Sequence, residues 1–145
     1  IDNYANLSQE GDCWVYCNAQ VKDEAQVSDD AKLFDNAEVY DKAKIYHSAK
    51  VYGNAKICGN AKVYDNAWVY GNAWVYSSAI ISNYAEVYGY AQVSGSAIIS
   101  NYAEVYDYAK ICDNAIVCGK VCDKAKVCGN DKVYGNSKIG DNTEE

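Results

Sequence analysis

Residues 79–96 read AIISNYAEVYGYAQVSGS, and residues 97–114 read AIISNYAEVYDYAKICDN. The two stretches begin 18 residues apart, and each divides into three units of six residues. From Val15 to Val117 every sixth residue is aliphatic, and the residue four places after it is alanine in every unit up to Ala115. An α-helix repeats about every 3.6 residues, so a strict period of six over so long a stretch excludes a helix.

Each unit contains the parts of one side of a flat-sided coil. A short strand directs its aliphatic residue inward, and a corner follows in which Gly, Asp or Asn tolerates left-handed backbone angles. Alanine then fills the small space inside the corner. Three units close one turn of 18 residues, and successive turns stack as parallel strands about 4.8 Å apart. We predict an all-β, three-sided parallel β-helix (solenoid) of about eight coils, in one domain over residues 1–145, with regular units in 15–117.

The first rungs, residues 1–14, are degenerate. Four of their residues keep the spacing of the unit: Ile1, Ala5, Leu7 and Gly11. Val15, however, comes eight residues after Leu7 instead of six. The extra residues predict a corner that bulges near Cys13–Trp14.

The final coils, residues 118–145, are shifted in phase. Val121 follows Val117 by only four residues, which predicts a tightened corner near Gly119–Lys120. The aliphatic series then resumes as Val121, Val127, Val133 and Ile139. Its small-residue slot holds Ala125, Asp131, Ser137 and Thr143, of which Asp131 departs from the rule. No capping helix is predicted at either end, so open strand edges favour end-to-end association, which the charges of Glu144 and Glu145 oppose.

The repeating unit resembles the hexapeptide repeat of left-handed parallel β-helix proteins. Residues 6–16, NLSQEGDCWVY, are similar to the opening of uncharacterised bacterial and phage hexapeptide-repeat proteins, some of which are named acetyltransferases by similarity. The resemblance implies a left-handed coil and a cytoplasmic protein of bacterial or phage origin.

Enzymes of that family rely on histidine, as the base of trimeric acyltransferases or as the three ligands of trimeric zinc carbonic anhydrases. This chain has one histidine, His47, at a corner position, where we expect it to be solvated. One chain therefore cannot build a three-histidine zinc site, and no metal site is predicted. The rungs also lack the inserted corner loop that cofactor-binding acyltransferases usually carry, so no cofactor is expected.

Residues 18 apart form columns along the coil, and one column is nearly all aromatic. It comprises Tyr16, Phe34, Tyr52, Tyr70, Tyr88 and Tyr106. Trp14 and Trp68 flank it. Rings at the strand spacing can stack with an offset. The column is either a consequence of tyrosine being a good outward strand residue or an adhesive face for a protein partner.

A second column consists of isoleucines that lie next to inward aliphatic residues and so cannot also point into the coil. Ile80, Ile98 and Ile116 each precede an inward aliphatic residue, so we expect them to face outward as a candidate subunit contact. Two further tyrosine pairs share corner columns: Tyr84 with Tyr102, and Tyr90 with Tyr108.

The polar columns have plainer interpretations. Asn18, Asn36, Asn54 and Asn72 form one column, whose amides could bond along the axis, but we favour the interpretation that asparagine suits a left-handed corner. The corner carboxylates Asp23, Asp41, Asp65 and Asp113 are expected to be solvated.

Seven cysteines fit neither a small secreted disulfide framework nor a zinc site, which favours a reducing compartment. Cys112 and Cys128 become coil neighbours after the phase shift and could bond if oxidised.

Charge and hydropathy exclude several classes of protein. The net charge is −7 and arginine is absent, which argues against nucleic acid as a partner. No apolar run approaches the roughly 18 residues of a spanning helix, and no membrane contact is expected.

We predict a non-enzymatic structural or interaction protein that binds a protein partner or its own copies, and no small-molecule ligand. The main alternative is a divergent acyltransferase-like subunit with His47 as its base. Ice binding would need rows of threonine, and Thr143 is alone. A phage-type DNA mimic would need a continuous column of carboxylates, which the sequence lacks.

Overall fold

A computed structural model describes residues 1–8 and 10–140. Within them the chain winds into a three-sided coil of two-residue strands, in which every strand pairs in parallel with the strand three places along the chain. The all-β, three-sided parallel solenoid is therefore confirmed. The described coil makes about seven turns of about 18 residues, where length predicts about eight. Part of the difference lies in the first rungs, which form a 3₁₀ turn at Tyr4–Asn6 and one bridge, between Leu7 and Val27, in place of ladder strands.

The three sides of the coil are three sheets. Sheet 1 contains β1 (Trp14–Val15), β4 (Lys32–Leu33), β7 (Lys50–Val51), β10 (Trp68–Val69), β13 (Glu86–Val87), β16 (Glu104–Val105), β19 (Lys120–Val121) and β22 (Lys138–Ile139). Sheet 2 contains β2 (Gln20–Val21), β5 (Glu38–Val39), β8 (Lys56–Ile57), β11 (Trp74–Val75), β14 (Gln92–Val93), β17 (Lys110–Ile111) and β20 (Lys126–Val127). Sheet 3 contains β3 (Gln26–Val27), β6 (Lys44–Ile45), β9 (Lys62–Val63), β12 (Ile80–Ile81), β15 (Ile98–Ile99), β18 (Ile116–Val117) and β21 (Lys132–Val133).

The core is a stack of aliphatic and alanine side chains. The second residue of each strand points inward, and in the middle coils both it and the corner alanine are completely buried, as Val69 and Ala73 illustrate. The first residue points outward, so Trp68 lies directly between Lys50 and Glu86 of the adjacent coils. None of the described segments forms a helix long and apolar enough to cross a bilayer.

The corners are held by carboxylates that we expected to be merely solvated. The first corner residue has a positive φ, +58° at Asp41 and +68° at Gly59. The Asp41 carboxylate accepts a hydrogen bond from the backbone N–H of Gly59 one coil on, at 2.9 Å. Asp65 does the same for the N–H of Asn83, at 3.1 Å. These carboxylates are partly accessible to water, yet they also join successive coils.

The asparagine column forms an amide ladder. The Asn36 side-chain amide donates to the Asn54 side-chain oxygen at 3.2 Å, and Asn18 and Asn54 make the equivalent bonds. The left-handed position belongs to the residue before each asparagine, for example Asp35 with φ +59°. The ladder interpretation therefore describes this column, and the left-handed-corner interpretation is wrong for it.

The N-terminal bulge lies slightly earlier than predicted. The backbone N–H of Trp14 donates to Ala31, which places Cys13 in the alanine slot. Gly11, which we expected in that slot, has φ +88° and lies against the backbone of Asp29 at the left-handed position. The two extra residues are thus absorbed between Leu7 and Cys13.

The first coil also has a cap that the sequence did not reveal. Asn6 is only 1% exposed. Its side-chain amide donates to the carbonyls of Asp23, at 3.0 Å, and Ala25, at 2.8 Å. These bonds satisfy backbone groups where the 3₁₀ turn leaves the regular path. At the other end, Glu144 and Glu145 lie outside the described residues.

The second phase slip is confirmed at Gly119. The N–H of Glu104 donates to the Gly119 carbonyl at 3.1 Å, so glycine occupies the alanine slot and the two corner residues are missing. A Cβ at Gly119 would approach the Ser137 carbonyl oxygen to 2.6 Å. The shortened corner therefore has no room even for alanine. Asp131 is tolerated in its slot because it is exposed near the end of the coil.

Candidate functional site

The aromatic column forms a continuous stack, which we call the aromatic ladder. Its members are Tyr16, Phe34, Tyr52, Tyr70, Tyr88 and Tyr106. Consecutive ring centroids are 4.7–5.2 Å apart, and the planes deviate from parallel by 12° at most. Offset stacking at this spacing is favourable, and the coil repeat imposes it.

The ladder is half-buried, and burial changes its acid–base behaviour. Burial raises the pKa of Tyr52 and Tyr88 above the usual value. It also raises the pKa of Tyr70, whose phenol donates a hydrogen bond to Glu86 at 3.0 Å. The raised pKa keeps the hydroxyls of Tyr52, Tyr70 and Tyr88 neutral further into the alkaline range than an ordinary phenol.

Two tyrosines pair with buried cysteines. A hydrogen bond with Cys122, together with burial, raises the pKa of Tyr106 to about 12. On sheet 2, a hydrogen bond with Cys58 together with burial raises the pKa of Tyr40 to about 12. In both columns a thiol takes the position that a tyrosine ring occupies elsewhere.

Both tryptophans assigned to the candidate face lie on sheet 1. Trp14 is 60% exposed and Trp68 is 36% exposed. Trp68 meets the Tyr52 ring edge-on at 6.4 Å, and the Lys50 ammonium lies 4.7 Å from the Trp68 ring centroid. Trp68 therefore contacts the aromatic ladder and charged neighbours at the same time.

The isoleucine column lies on sheet 3. Ile80 pairs in register with Ile98, and Ile98 with Ile116. Each is half-buried, so the column presents less apolar surface than fully outward side chains would. Ser82 beside it is 5% exposed.

Exposed tyrosine pairs line the two corners that flank sheet 1. The rings of Tyr84 and Tyr102 stack at 5.1 Å, and those of Tyr90 and Tyr108 also stack at 5.1 Å. Tyr102 is 75% exposed. Together with Trp68 they surround the outer surface of sheet 1 with aromatic groups.

His47 occupies a left-handed corner position, with φ +55°. Its Nδ1 lies 3.0 Å from a carboxylate oxygen of Asp65, and its backbone N–H donates to Asp29 at 2.9 Å. The ring packs edge-on against Tyr46 and Tyr64. The side chain is exposed, which agrees with the predicted corner residue.

The structure joins Cys112 and Cys128, the pair that the spacing allows, by a disulfide. Their Cα atoms are 4.6 Å apart on adjacent coils. The compartment inferred from cysteine spacing stays a prediction.

Two groups of cysteine and aspartate come together that sequence reasoning missed. Asp113 lies beside the Cys112–Cys128 pair, and Asp107 and Asp123 surround Cys122. The first group is occupied by the disulfide. In the second, burial raises the pKa of the Cys122 thiol, which disfavours the thiolate that a metal requires. For the second group the regular 18-residue period gave no signal, because only the two-residue deletion brings Cys122 and Asp123 beside Asp107.

A family model described as the YdcK beta solenoid repeat matches residues 55–71. The matched stretch is about one turn of the coil and lies in its middle. The chain matches no curated protein and no solved structure.

Proposed function

We propose that this chain is a non-enzymatic structural or interaction protein, which presents flat β-solenoid faces and the aromatic ladder to a protein partner or to its own copies. The observation that carries this proposal is the aromatic ladder itself, with exposed Trp14 and Trp68 beside it. Tyrosine and tryptophan are enriched in the binding hot spots of protein interfaces. Rings already fixed by stacking lose little further side-chain entropy when a partner binds.

The resemblance to hexapeptide-repeat proteins supports a left-handed coil as part of this proposal. The handedness does not alter the argument, because either sense would place the same residues in columns along the three faces.

A paired substitution tests the proposal. The double variant Trp14→Ser with Trp68→Ser removes the exposed indoles of sheet 1, and Trp74→Ser removes from sheet 2 an indole that is 41% exposed, between the exposures of those two. We expect self-association, measured by light scattering, or retention of a partner protein to be lost in the double variant and kept in the Trp74→Ser control. Equal behaviour of the double variant and the unmodified protein in both assays would contradict the proposal.

The alternative, an acyltransferase-like subunit, is favoured by one contact. The Asp65 carboxylate orients His47 through Nδ1, which leaves Nε2 as the nitrogen that could accept a proton. Turnover of an acyl-CoA that His47→Asn abolishes would establish this alternative and contradict a non-enzymatic role.

A further inference from the structure

We propose that sheet 1 packs face to face on sheet 1 of a second copy, with the two coil axes antiparallel. The two copies are related by a two-fold axis that runs along the strand direction at the level of Trp68. This inference rests on the proposed function and specifies the partner and the surface. Its basis is the order of the outward side chains of sheet 1. From coil to coil they are Trp14, Lys32, Lys50, Trp68, Glu86, Glu104, Lys120 and Lys138.

The four charges nearest to Trp68 in this column reverse sign at Trp68. Lys32 and Lys50 precede it, and Glu86 and Glu104 follow it. Adjacent coils are about 4.8 Å apart on both copies, so an antiparallel partner stays in register from Trp14 to Lys120. Lys138, on the last coil of the sheet, lies beyond this overlap. The axis then places Lys50 opposite Glu86 of the second copy and Lys32 opposite its Glu104. Each ion pair occurs twice, as a two-fold interface requires.

The ends and centre of the column fit the same arrangement. The two Trp68 side chains meet on the axis. Trp14, three coils before Trp68, lies opposite Lys120 of the second copy, three coils after it. A lysine ammonium over an indole is a favourable contact, and Lys50 already makes one with Trp68 within the chain.

At the corner that precedes sheet 1, large side chains of one copy lie opposite small side chains of the other. The axis places Tyr84 opposite Ser48 and Tyr102 opposite Asp30 of the second copy. Ser48 and Tyr84 belong to the lining of a groove of about 470 Å³ beside Trp68. The Tyr84 ring therefore meets the small side chain of Ser48, and the Tyr102 phenol meets the Asp30 carboxylate.

The corner after sheet 1 repeats this relationship. Tyr90 lies opposite Asn54 and Tyr108 opposite Asn36 of the second copy. Both tyrosines follow the level of Trp68, and both asparagines precede it. Large groups of one half of the chain thus meet the smaller groups of the other half at both edges of the face.

The other sheets lack this symmetry. The charged outward residues of sheet 3 are all basic: Lys44, Lys62 and Lys132. Sheet 2 carries one acidic residue, Glu38, which already pairs with Lys56 at 3.4 Å. A parallel arrangement of sheet 1 would place each charge opposite its own equivalent. Antiparallel pairing of sheet 1 is thus the arrangement that these charges favour.

One ion pair within the chain must rearrange. Lys120 contacts Glu104 at 2.8 Å, and both side chains are partly exposed. Exposed ion pairs contribute little to stability, so exchanging this contact for one across the interface costs little. Because dissolved salt screens the attraction between the facing charges, we expect dimerisation to weaken as salt concentration rises.

Two charge-reversed variants test the arrangement. The acidic variant carries Lys32→Glu and Lys50→Glu, and the basic variant carries Glu86→Lys and Glu104→Lys. In either homodimer, like charges oppose one another at all of these positions. Like-charge contacts at an interface cost enough to predict at least about a hundredfold weaker self-association for each variant alone.

Mixing the two variants provides the decisive measurement. In a mixed dimer every glutamate of the acidic variant opposes a lysine of the basic variant, so we expect a one-to-one complex in sedimentation velocity. Lys44→Glu with Lys62→Glu, on sheet 3, is the matched control and should dimerise like the unmodified protein.

Other results would overturn the arrangement. If the unmodified protein dimerises and both variants still do so alone, the contact lies on another face, and the proposed function stands. If the unmodified protein stays monomeric at millimolar concentration, the second copy is not the partner. In that case the retention of a foreign partner in the tryptophan experiment decides the proposed function separately.

Discussion

The phenol of Tyr70 donates a hydrogen bond to a carboxylate oxygen of Glu86, 3.0 Å away on the adjacent coil. This bond ties the aromatic ladder to the outward column of sheet 1. Tyr70→Phe keeps the stacked ring and removes only the bond. We expect it to cost about 0.5–1.5 kcal/mol in denaturant unfolding. Tyr88→Phe is the control, because its hydroxyl makes no hydrogen bond to another described side chain, and it should cost less. An equal loss in both variants would contradict this role for Glu86.

Alkaline pH should destabilise the coil. The folded-state pKa of Tyr40 and Tyr106 is raised to about 12, and that of Tyr70 is raised further by burial. A raised pKa means that the folded state holds the phenol proton more tightly than the unfolded chain, in which tyrosine titrates near pH 10. The stability that these protonated phenols contribute is then fully present below about pH 10 and is lost as pH rises through about 12. Unfolding at several pH values, with tyrosinate absorbance, would check this. Constant stability across that range would contradict it.

Ala55 illustrates how little space a corner contains. It is completely buried in a middle coil. Ala55→Leu should overpack the corner and cost at least about 1–3 kcal/mol in denaturant unfolding. Lys62→Leu introduces the same side chain at an exposed outward position and should cost much less. The inside–outside assignment would be wrong if the outward change were the more damaging.

Replacing Gly119 with alanine should destabilise the protein, although alanine occupies the equivalent position in the regular coils. Alanine occupies the equivalent slot in the regular coils, for example at Ala103. At the shortened corner a Cβ would come within 2.6 Å of the Ser137 carbonyl oxygen. We expect Gly119→Ala to cost about 1–3 kcal/mol by overpacking.

The control for Gly119→Ala is Gly129→Ala. A Cβ at Gly129 would meet nothing within 4 Å, so only the positive φ of +69° disfavours alanine there. A stable Gly119→Ala variant, as judged by thermal unfolding, would show that the corner can open.

The disulfide gives a stoichiometric prediction. Without reductant, five thiols should titrate in denaturant, because Cys112 and Cys128 are joined, and all seven should titrate after reduction. A chain-entropy estimate for a loop of this length gives about 3 kcal/mol of stability lost on reduction. The double variant Cys112→Ser and Cys128→Ser should be insensitive to reductant, whereas Cys58→Ser should respond like the unmodified protein. Seven reactive thiols before reduction would exclude the bond.

The repeating positions could be read from the amino-acid sequence. The six-residue period, the inward series through Val69, the alanine corners and both phase slips are local signals, and each one occurs again at the next unit. The stacked rings of Tyr52 and Tyr70 followed from the 18-residue offset alone. These features were predictable because a coil that repeats in sequence must repeat in space.

The exceptions were decided by contacts between coils. Asn6 caps Asp23 and Ala25, and Cys13 replaces Gly11 in the core slot, because an irregular first coil fits whatever the second coil leaves open. The corner aspartates were expected to be solvated because their hydrogen-bond donors, the N–H groups of the next coil, are about 18 residues away in sequence.

The sequence by itself thus determined a three-sided parallel coil and which side chains line its interior. Tertiary structure alone decided how its first coil is capped and what its corner carboxylates bond, whereas the second phase slip already indicated that Cys112 and Cys128 could meet. The physical reason is that a period constrains every equivalent residue at once, whereas a single hydrogen bond depends on where two particular atoms come to lie.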